Sequence, residues 1–203
     1  MGGTRERAVA RGFLGRVDPR DFAAPPNVVS LARIALVPVV LALLAVGARL
    51  GAALVIVVAA ASDGLDGALA RKTGRVTELG KILDPLADKI AIDAVLLALL
   101  LRGEFPGWAL ALVLARDLGI GAGALALAGR TSFVPQAIVP GKVALVLLSA
   151  MVTAYAADLR VLEPSLLAAG VAGVVVSGAA YVAVLGRELR KQTAGVGPSQ
   201  RST

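Results

Sequence analysis

The residues with the clearest capacity for chemistry are four aspartates in one short stretch, DGLDGALARKTGRVTELGKILDPLAD. Asp63, Asp66, Asp84 and Asp88 lie between apolar segments that are long enough to cross a membrane. A carboxylate at the centre of a bilayer costs about 2.5–3.5 kcal/mol on insertion scales, so four of them require compensation. Converging carboxylates repel each other unless they are protonated or bind metal. Two divalent cations about 3.5–4 Å apart would neutralise them and form a clamp for phosphoryl transfer.

The composition restricts the chemistry that can accompany these carboxylates. The 203 residues include no Cys and no His, which excludes disulfides, Cys nucleophiles and the commonest general base. Acid–base chemistry therefore falls to Asp, Glu, Lys or Tyr, and a metal site must be rich in oxygen, which suits Mg²⁺, Mn²⁺ or Ca²⁺. The sequence carries a net charge of +7, and its positive residues lie mainly at the ends of the apolar segments. This placement indicates membrane topology and contact with anionic lipid, and we expect no nucleic-acid partner.

The elements that must position the aspartates are predicted from hydropathy. A hydrophobic fraction of 57% exceeds that of soluble domains, and we predict an all-α membrane protein with six spans of about 20 residues. The predicted spans cover residues 28–48, 50–71, 81–101, 107–129, 137–157 and 164–186. The predicted regions are a basic cytoplasmic or juxtamembrane segment at 1–26, the six-helix membrane domain at 27–187 and a flexible tail at 188–203.

The distribution of Lys and Arg orients the predicted bundle. Positive residues concentrate before the first span and after the second, fourth and sixth, whereas the opposite connections contain only Arg49, Arg102 and Arg160. The positive-inside rule then places both termini in the cytoplasm. Both pairs of aspartates lie near the cytoplasmic ends of their spans, so we expect them to reach a similar depth.

Each pair of aspartates shares a helix face with small residues. Asp63, Asp66, Gly67 and Ala70 follow an i, i+3, i+4, i+7 spacing, and Gly80, Asp84 and Asp88 follow i, i+4, i+8. Small residues let a ligand or a neighbouring backbone approach closely. Pro85 is best tolerated in the first turn of a helix, so we predict that the regular helix begins near Asp84. The alternative interpretation is a set of structural ion pairs with nearby Lys and Arg side chains.

The same residues complete the motif D-x2-D-G-x2-A-R-x8-G-x3-D-x3-D, which resembles the signature of the CDP-alcohol phosphatidyltransferases. Its fixed positions are Asp63, Asp66, Gly67, Ala70, Arg71, Gly80, Asp84 and Asp88, with no deviation in spacing. PNVVSLARIALVP resembles the entry sequence of this family. LDPLADK, ARDLGI and PGKVAL resemble its phosphatidylglycerophosphate synthase and cardiolipin synthase branches, so the likeness covers roughly residues 25–186.

The resemblance implies a six-helix membrane fold, usually homodimeric, that transfers a phosphatidyl group from CDP-diacylglycerol to an alcohol and releases CMP. Two divalent cations, Mg²⁺ or Mn²⁺, would be held by the four aspartates, and Asp88 would also be the general base. The CDP part of the donor would contact Asp63, Asp66, Gly67, Ala70, Arg71 and Gly80. We expect an integral protein of a bacterial-type inner membrane, with its active site facing the cytoplasm.

The second substrate depends on cations outside the motif. Arg33, Arg116 and Lys142 lie in or at the edge of spans, and the resemblance places Arg116 and Lys142 beside the acceptor pocket, which fits glycerol 3-phosphate. Phosphatidylglycerol, which would give cardiolipin, also carries a phosphate and stays open as an acceptor. Arg116 could instead pair with Asp117 or Asp93.

Two interpretations from other classes of protein accompany the enzyme hypothesis. Carboxylates within a membrane also bind permeating ions, as in a divalent-cation transporter. Such a protein would need acidic residues along a path to the far side, where the sequence has only Asp158, Glu163 and Glu104. A non-catalytic scaffold would not need the spaced Gly, Ala and Arg positions of the motif.

Overall fold

The described part of the chain folds into helices joined by short turns. A computed structural model describes residues 25–73, 80–128 and 138–195, although the side chains of residues 25–26, 63–73, 81–82, 124–128, 188–189 and 191–195 lie outside this description. Across these ranges the backbone forms helices and no strand, which confirms the predicted all-α fold class. The helices are α1 (Pro25–Ala45), α2 (Arg49–Thr73), α3 (Gly80–Leu101), α4 (Gly107–Ala128), α5 (Val139–Ala156) and α6 (Glu163–Gly195).

Two helix boundaries differ from the expected ones. α3 begins at Gly80 and contains Pro85 in its interior, so the prediction of a helix start near Asp84 is wrong. Pro85 is the sixth residue of α3, past the first N–H groups, which have no intrahelical acceptor, so it interrupts the helical hydrogen bonding at one position without ending the helix. α6 continues to Gly195, past the predicted end of the sixth span, because hydropathy marks the apolar part of a helix and not its polar continuation.

Two predicted regions fall largely outside the described residues. The structure does not describe residues 1–24 of the predicted basic segment at 1–26. It also does not describe the predicted tail from residue 196 onward. Both assignments therefore stay predictions.

Three stretches are long and apolar enough to cross a membrane, judged by length and composition within the described ranges. They are Asn27–Ala45, Val139–Ala156 and Glu163–Arg187. Arg49–Ser62 is a shorter apolar stretch of α2. Large apolar side chains are exposed on the outside of the bundle, with Leu54, Leu118 and Val182 at 65%, 73% and 70%. Exposed apolar surface of this extent is typical of a protein whose outer face contacts lipid.

Three helices end in the same way at one end of the bundle. Gly47, which follows α1, and Gly103, which follows α3, adopt the left-handed conformation with φ of 76° and 72°, and Asp158 after α5 has φ of 58°. Ala48 N donates to Leu43 O at 2.8 Å, and equivalent bonds follow the other two helices. This Schellman arrangement satisfies the last carbonyls of a helix. The turns after α1, α3 and α5 define what we term the capped end.

The hydrophobic core lies toward the capped end. Leu44, Leu99 and Met151 come from the last two turns of α1, α3 and α5, and each is at most 1% exposed. The rings of Phe105 and Tyr155 meet edge to face, with their centroids 5.0 Å apart. α1 packs against both α2 and α3. Because the large apolar side chains gather at this end, the opposite ends of α1 and α3 are left for polar residues.

α5 and α6 approach closely because glycines line their contact. A Cβ atom on Gly173 would lie 3.0 Å from Leu147 Cδ1 and 3.3 Å from Ala144 Cα, and one on Gly170 would lie 2.9 Å from Met151 Sδ. Any larger residue would force a neighbour to move, so these glycines permit the observed separation of the two helices. On its other sides α5 packs against α2 and α3, so its position is fixed from several directions.

Candidate functional site

The described carboxylates of the motif lie at the beginning of α3, opposite the capped end. Asp84 and Asp88 are four residues apart, so they lie one above the other on one side of the helix. Both side chains are half-buried, and Gly80 at the first position of α3 is buried. The first three turns of α3 and the helix ends that pack around them are termed the aspartate end.

α1 presents a buried polar face to these carboxylates. Asn27, Ser30 and Arg33 are only 0%, 1% and 6% exposed within an otherwise apolar helix. Ser30 Oγ donates a hydrogen bond to Asp84 Oδ1, and Arg33 Nη1 donates to Asp88 Oδ1. α1 and α3 both begin at this end and run in the same direction, so successive turns of one meet successive turns of the other. Two polar contacts at different depths therefore join these helices.

These contacts compensate charges that burial would otherwise penalise. The side chains of Arg33 and Asp88 are 7% and 17% exposed, and breaking such a buried pair by removing one partner costs about 3–5 kcal/mol. The sequence identified Arg33 as a cation inside a span but did not single out Asn27 or Ser30. Their signal is a polar residue at every third position on one side of an apolar helix, a pattern that favours interhelical hydrogen bonds.

The remainder of the motif belongs to α2. Asp63, Asp66, Gly67, Ala70 and Arg71 lie on the described backbone of this helix, but their side chains lie outside the description. Among the side chains that the structure describes, no group of three or more potential metal ligands occurs. The assignment of four aspartates to a metal pair therefore stays a prediction.

The described donor groups nevertheless suit a hard divalent cation. Asp84 and Asp88 supply carboxylate oxygens, and Ser30 adds a hydroxyl oxygen beside Asp84. Mg²⁺ and Mn²⁺ prefer oxygen ligands of this kind. The donor set fits the predicted cations, and Arg33 already places one positive charge against Asp88.

An apolar cavity lies beside the Arg33–Asp88 pair. It has a volume of about 300 Å³, and its walls come from α1, α2, α3 and α5. Apart from these two charged residues and Ser149, its walls are aliphatic, as with Val40 and Ile92. Charged groups at one edge and aliphatic walls elsewhere suit an amphipathic ligand whose polar part lies near Asp88.

A second charged cluster joins α3, α4 and α6. Arg116 Nη1 lies 2.6 Å from Asp117 Oδ1, and Arg116 Nη2 donates to Ser177 Oγ at 2.7 Å. Lys89 Nζ lies 3.2 Å from the same Asp117 oxygen. Arg116 therefore pairs with Asp117, one of the two partners considered from the sequence. Asp93 Oδ1 is buried and has no hydrogen-bond partner among the described residues.

The structure places the two candidate acceptor cations in different settings. The side chain of Arg116 is 11% exposed and is held by Asp117 and Ser177. Lys142 lies in the first turn of α5 and is exposed. Arg116 is connected to α3 through Asp117 and Lys89, and the neighbour of Lys89 in sequence is Asp88. The two cations thus have different access to solvent and different connections to the motif.

The sequence matches known proteins across most of the helical region. Residues 23–184 match the family model described as CDP-alcohol phosphatidyltransferase. The chain is 36% identical over 133 residues to the CDP-diacylglycerol–glycerol-3-phosphate 3-phosphatidyltransferase of Bacillus subtilis (strain 168). The matched region covers 58% of this chain and 68% of that protein.

Two further relatives match over about half of their length. The probable phosphatidylglycerophosphate synthase of Mycobacterium tuberculosis (strain ATCC 25618 / H37Rv) is 39% identical over 100 residues, or 46% of this chain and 48% of the relative. The cardiolipin synthase (CMP-forming) of Streptomyces coelicolor is 39% identical over 108 residues, or 50% of each protein.

Proposed function

The chain belongs to the CDP-alcohol phosphatidyltransferase family, and we propose that it transfers the phosphatidyl group of CDP-diacylglycerol to glycerol 3-phosphate and releases CMP. The observation that carries this proposal is the position of Asp84 and Asp88, held by the polar face of α1 beside an apolar cavity. A lipid linked to a diphosphate has the matching distribution of groups, with charge at one end and hydrocarbon at the other. Two relatives carry names that specify this acceptor or its product.

The donor would bind with its diphosphate at the aspartate end. Asp63, Asp66, Asp84 and Asp88 would hold two divalent cations, Mg²⁺ or Mn²⁺, whose charge neutralises the diphosphate and assists the departure of CMP. Gly67, Ala70, Arg71 and Gly80 would contact the cytidine diphosphate. The hydrocarbon would extend along the aliphatic walls of the cavity, where it is removed from water.

Asp88 would act as the general base. The acceptor hydroxyl gives its proton to Asp88 while its oxygen attacks the phosphorus that carries the diacylglycerol. A new O–P bond forms, the P–O bond to CMP breaks, and CMP leaves with the bonding electron pair. A carboxylate base is reasonable because the chain has no His. Direct attack, with no covalent phosphatidyl-enzyme, fits a chain with no Cys.

Arg116 and Lys142 would bind the phosphate of the acceptor. The guanidinium of Arg116 already engages Asp117 and Ser177, so an incoming phosphate would replace the carboxylate of Asp117 as its partner. Phosphatidylglycerol is the second candidate acceptor, because a cardiolipin synthase is among the relatives. Both acceptors carry a phosphate, so these cations alone do not discriminate between them.

The proposed arrangement in the membrane has all six helices crossing it. Both termini and the aspartate end would face the cytoplasm of a bacterial-type cell, and the protein would be a homodimer. Three sufficiently apolar helices and the exposed apolar outer surface support the membrane location. The scarcity of positive residues in the connections at the capped end supports this orientation.

The test uses the purified chain with CDP-diacylglycerol, Mg²⁺ or Mn²⁺ and a panel of acceptors, with CMP release as the measurement. Release with glycerol 3-phosphate supports the proposal, and release only with phosphatidylglycerol supports the second candidate. No CMP with any acceptor would refute phosphatidyl transfer. A cation transporter would instead carry Mn²⁺ into vesicles that contain the protein, without forming CMP.

A further inference from the structure

One ion pair at the aspartate end connects a residue of the motif with a residue outside it. Arg33 of α1 donates through Nη1 to Asp88 Oδ1, and both side chains are largely removed from solvent. The roles proposed above for the donor, the acceptor and the proton transfer do not use Arg33.

The two contacts between α1 and α3 differ in charge. Asp84 receives a hydrogen bond from the neutral hydroxyl of Ser30, whereas Asp88 receives one from a guanidinium. Arg33 and Asp88 also line the apolar cavity, where charges are screened less than in water. A divalent cation that approaches Asp88 therefore meets the positive charge of Arg33.

We propose that Arg33 is a positioning residue that competes with a divalent cation for the carboxylate of Asp88 and so limits the metal affinity of the site. This inference rests on the proposed function, because it takes Asp88 as a metal ligand. The guanidinium engages Oδ1 of the carboxylate that a metal would also bind, and a nearby like charge disfavours the binding of a cation. Tight metal binding would then require the negative charge of the diphosphate, which links metal retention to the presence of the donor.

The test measures the binding of Mn²⁺ alone to the purified chain at one pH, from the electron paramagnetic resonance signal of free Mn²⁺. Arg33→Gln removes the charge but keeps a hydrogen-bond donor, and Arg33→Lys keeps the charge. We expect Arg33→Gln to bind Mn²⁺ about tenfold or more tightly than the wild type, because the competing charge is gone. Arg33→Lys should stay close to the wild type.

The matched control is Arg49→Gln, which removes an arginine from its pair with Glu104 at the capped end. It should leave Mn²⁺ affinity unchanged. Arg33→Met is a second neutral variant of similar length, for use if Arg33→Gln does not fold, as judged by its circular-dichroism melting curve. It should show the same tightening.

The outcomes separate this inference from the proposed function. Equal or weaker Mn²⁺ binding by the neutral Arg33 variants overturns the inference and identifies Arg33 as a structural link between α1 and α3. CMP release by the wild type would still support phosphatidyl transfer in that case. If Asp88→Asn binds Mn²⁺ as the wild type does, Asp88 is not a metal ligand, and both the metal assignment and this inference are overturned.

Discussion

Both ends of the helical bundle contain arginine–carboxylate pairs, but the pairs differ in their surroundings. At the capped end, Glu104 accepts hydrogen bonds from Arg49 at 2.5 Å and from Arg102 at 3.2 Å, and all three lie at the tight turns that close two hairpins. At the aspartate end, Arg33 and Asp88 join two helices beside a cavity. An arginine–carboxylate pair is therefore not by itself a sign of function. The cavity and the second carboxylate one turn away distinguish the candidate site.

The carboxyl group of Glu104, at the capped end, is held in its ionised form. Burial acts to raise the pKa of Glu104, but the hydrogen bonds and charges of Arg49 and Arg102 outweigh it, so this pKa lies below its ordinary value. A group whose pKa is lowered on folding stabilises the protein above its unfolded-state pKa and loses this contribution as pH falls through the folded-state pKa. The pair at the capped end therefore contributes fully at neutral pH.

The largest expected effect comes from neutralising a carboxylate of the aspartate end, in contrast to one of the capped end. Asp88→Asn should lower the rate of CMP release by about 10²–10⁴-fold, because it removes the general base, while binding of CDP-diacylglycerol partly survives. Steady-state turnover and donor binding are the measurements. Glu104→Gln is the matched control at the capped end and should retain turnover close to the wild type. Full activity of Asp88→Asn would remove Asp88 as the base.

A smaller effect is expected at the second charged cluster. Arg116→Ala should raise the KM for the acceptor by about 10–100-fold, because hydrogen bonds to charged groups contribute about 1.5–3 kcal/mol, and it should change the KM for the donor far less. Lys142→Ala should have a weaker effect, because Lys142 is exposed. Equal increases in both KM values for Arg116→Ala would refute its assignment to the acceptor.

The hydrogen bond between Ser30 of α1 and Asp84 of α3 should contribute less to activity than the charged groups above. Ser30→Ala removes the hydroxyl that bonds Asp84 and should lower kcat/KM by about 2- to 10-fold, the value of one hydrogen bond. Ser30→Thr keeps a hydroxyl and should recover most of the activity. If the alanine variant matches the wild type, the hydrogen bond to Asp84 does not contribute to the reaction.

The smallest effect concerns stability at the capped end. Glu104→Gln should lower Tm by about 2–4 °C at neutral pH, since a partly exposed ion pair contributes about 1 kcal/mol or less. The difference in Tm should be fully present above the ordinary pKa of a glutamate and should shrink as pH falls through the lowered pKa of Glu104, where the wild-type carboxyl becomes protonated. Thermal melts of both proteins across this range are the measurement. A difference that grows as pH falls would contradict the lowered pKa of Glu104.

Hydropathy predicted the helices well, because each apolar run is bounded by turn residues or charges. The fourth predicted span, 107–129, corresponds to α4 at Gly107–Ala128. Pro85 misled the prediction for α3, since a proline near the start of a helix marks only an approximate boundary. The end of α6 was missed because its last turns are polar and carry no apolar periodicity.

The site was predictable only where charge and spacing coincided. Asp84 and Asp88 stood out as carboxylates one turn apart, whereas Ser30 and Asn27 are uncharged and lie more than 50 residues earlier in the chain. Contacts across that separation depend on how α1 packs against α3, which no local pattern expresses. The roles of the aspartates on α2 stay predictions, because the structure does not describe their side chains.

The glycines of α6 have a consequence for the cavity, although α6 contributes no described residue to its wall. Val146 and Val152 of α5 line the cavity, and Gly173 sets how closely α5 approaches α6. A methyl group at Gly173 would meet Leu147 and Ala144 of α5, so accommodating it would disturb the helix that carries these two cavity-lining residues. The shape of the cavity can therefore change through a residue that does not line it, while the side chains of the aspartate end stay unchanged.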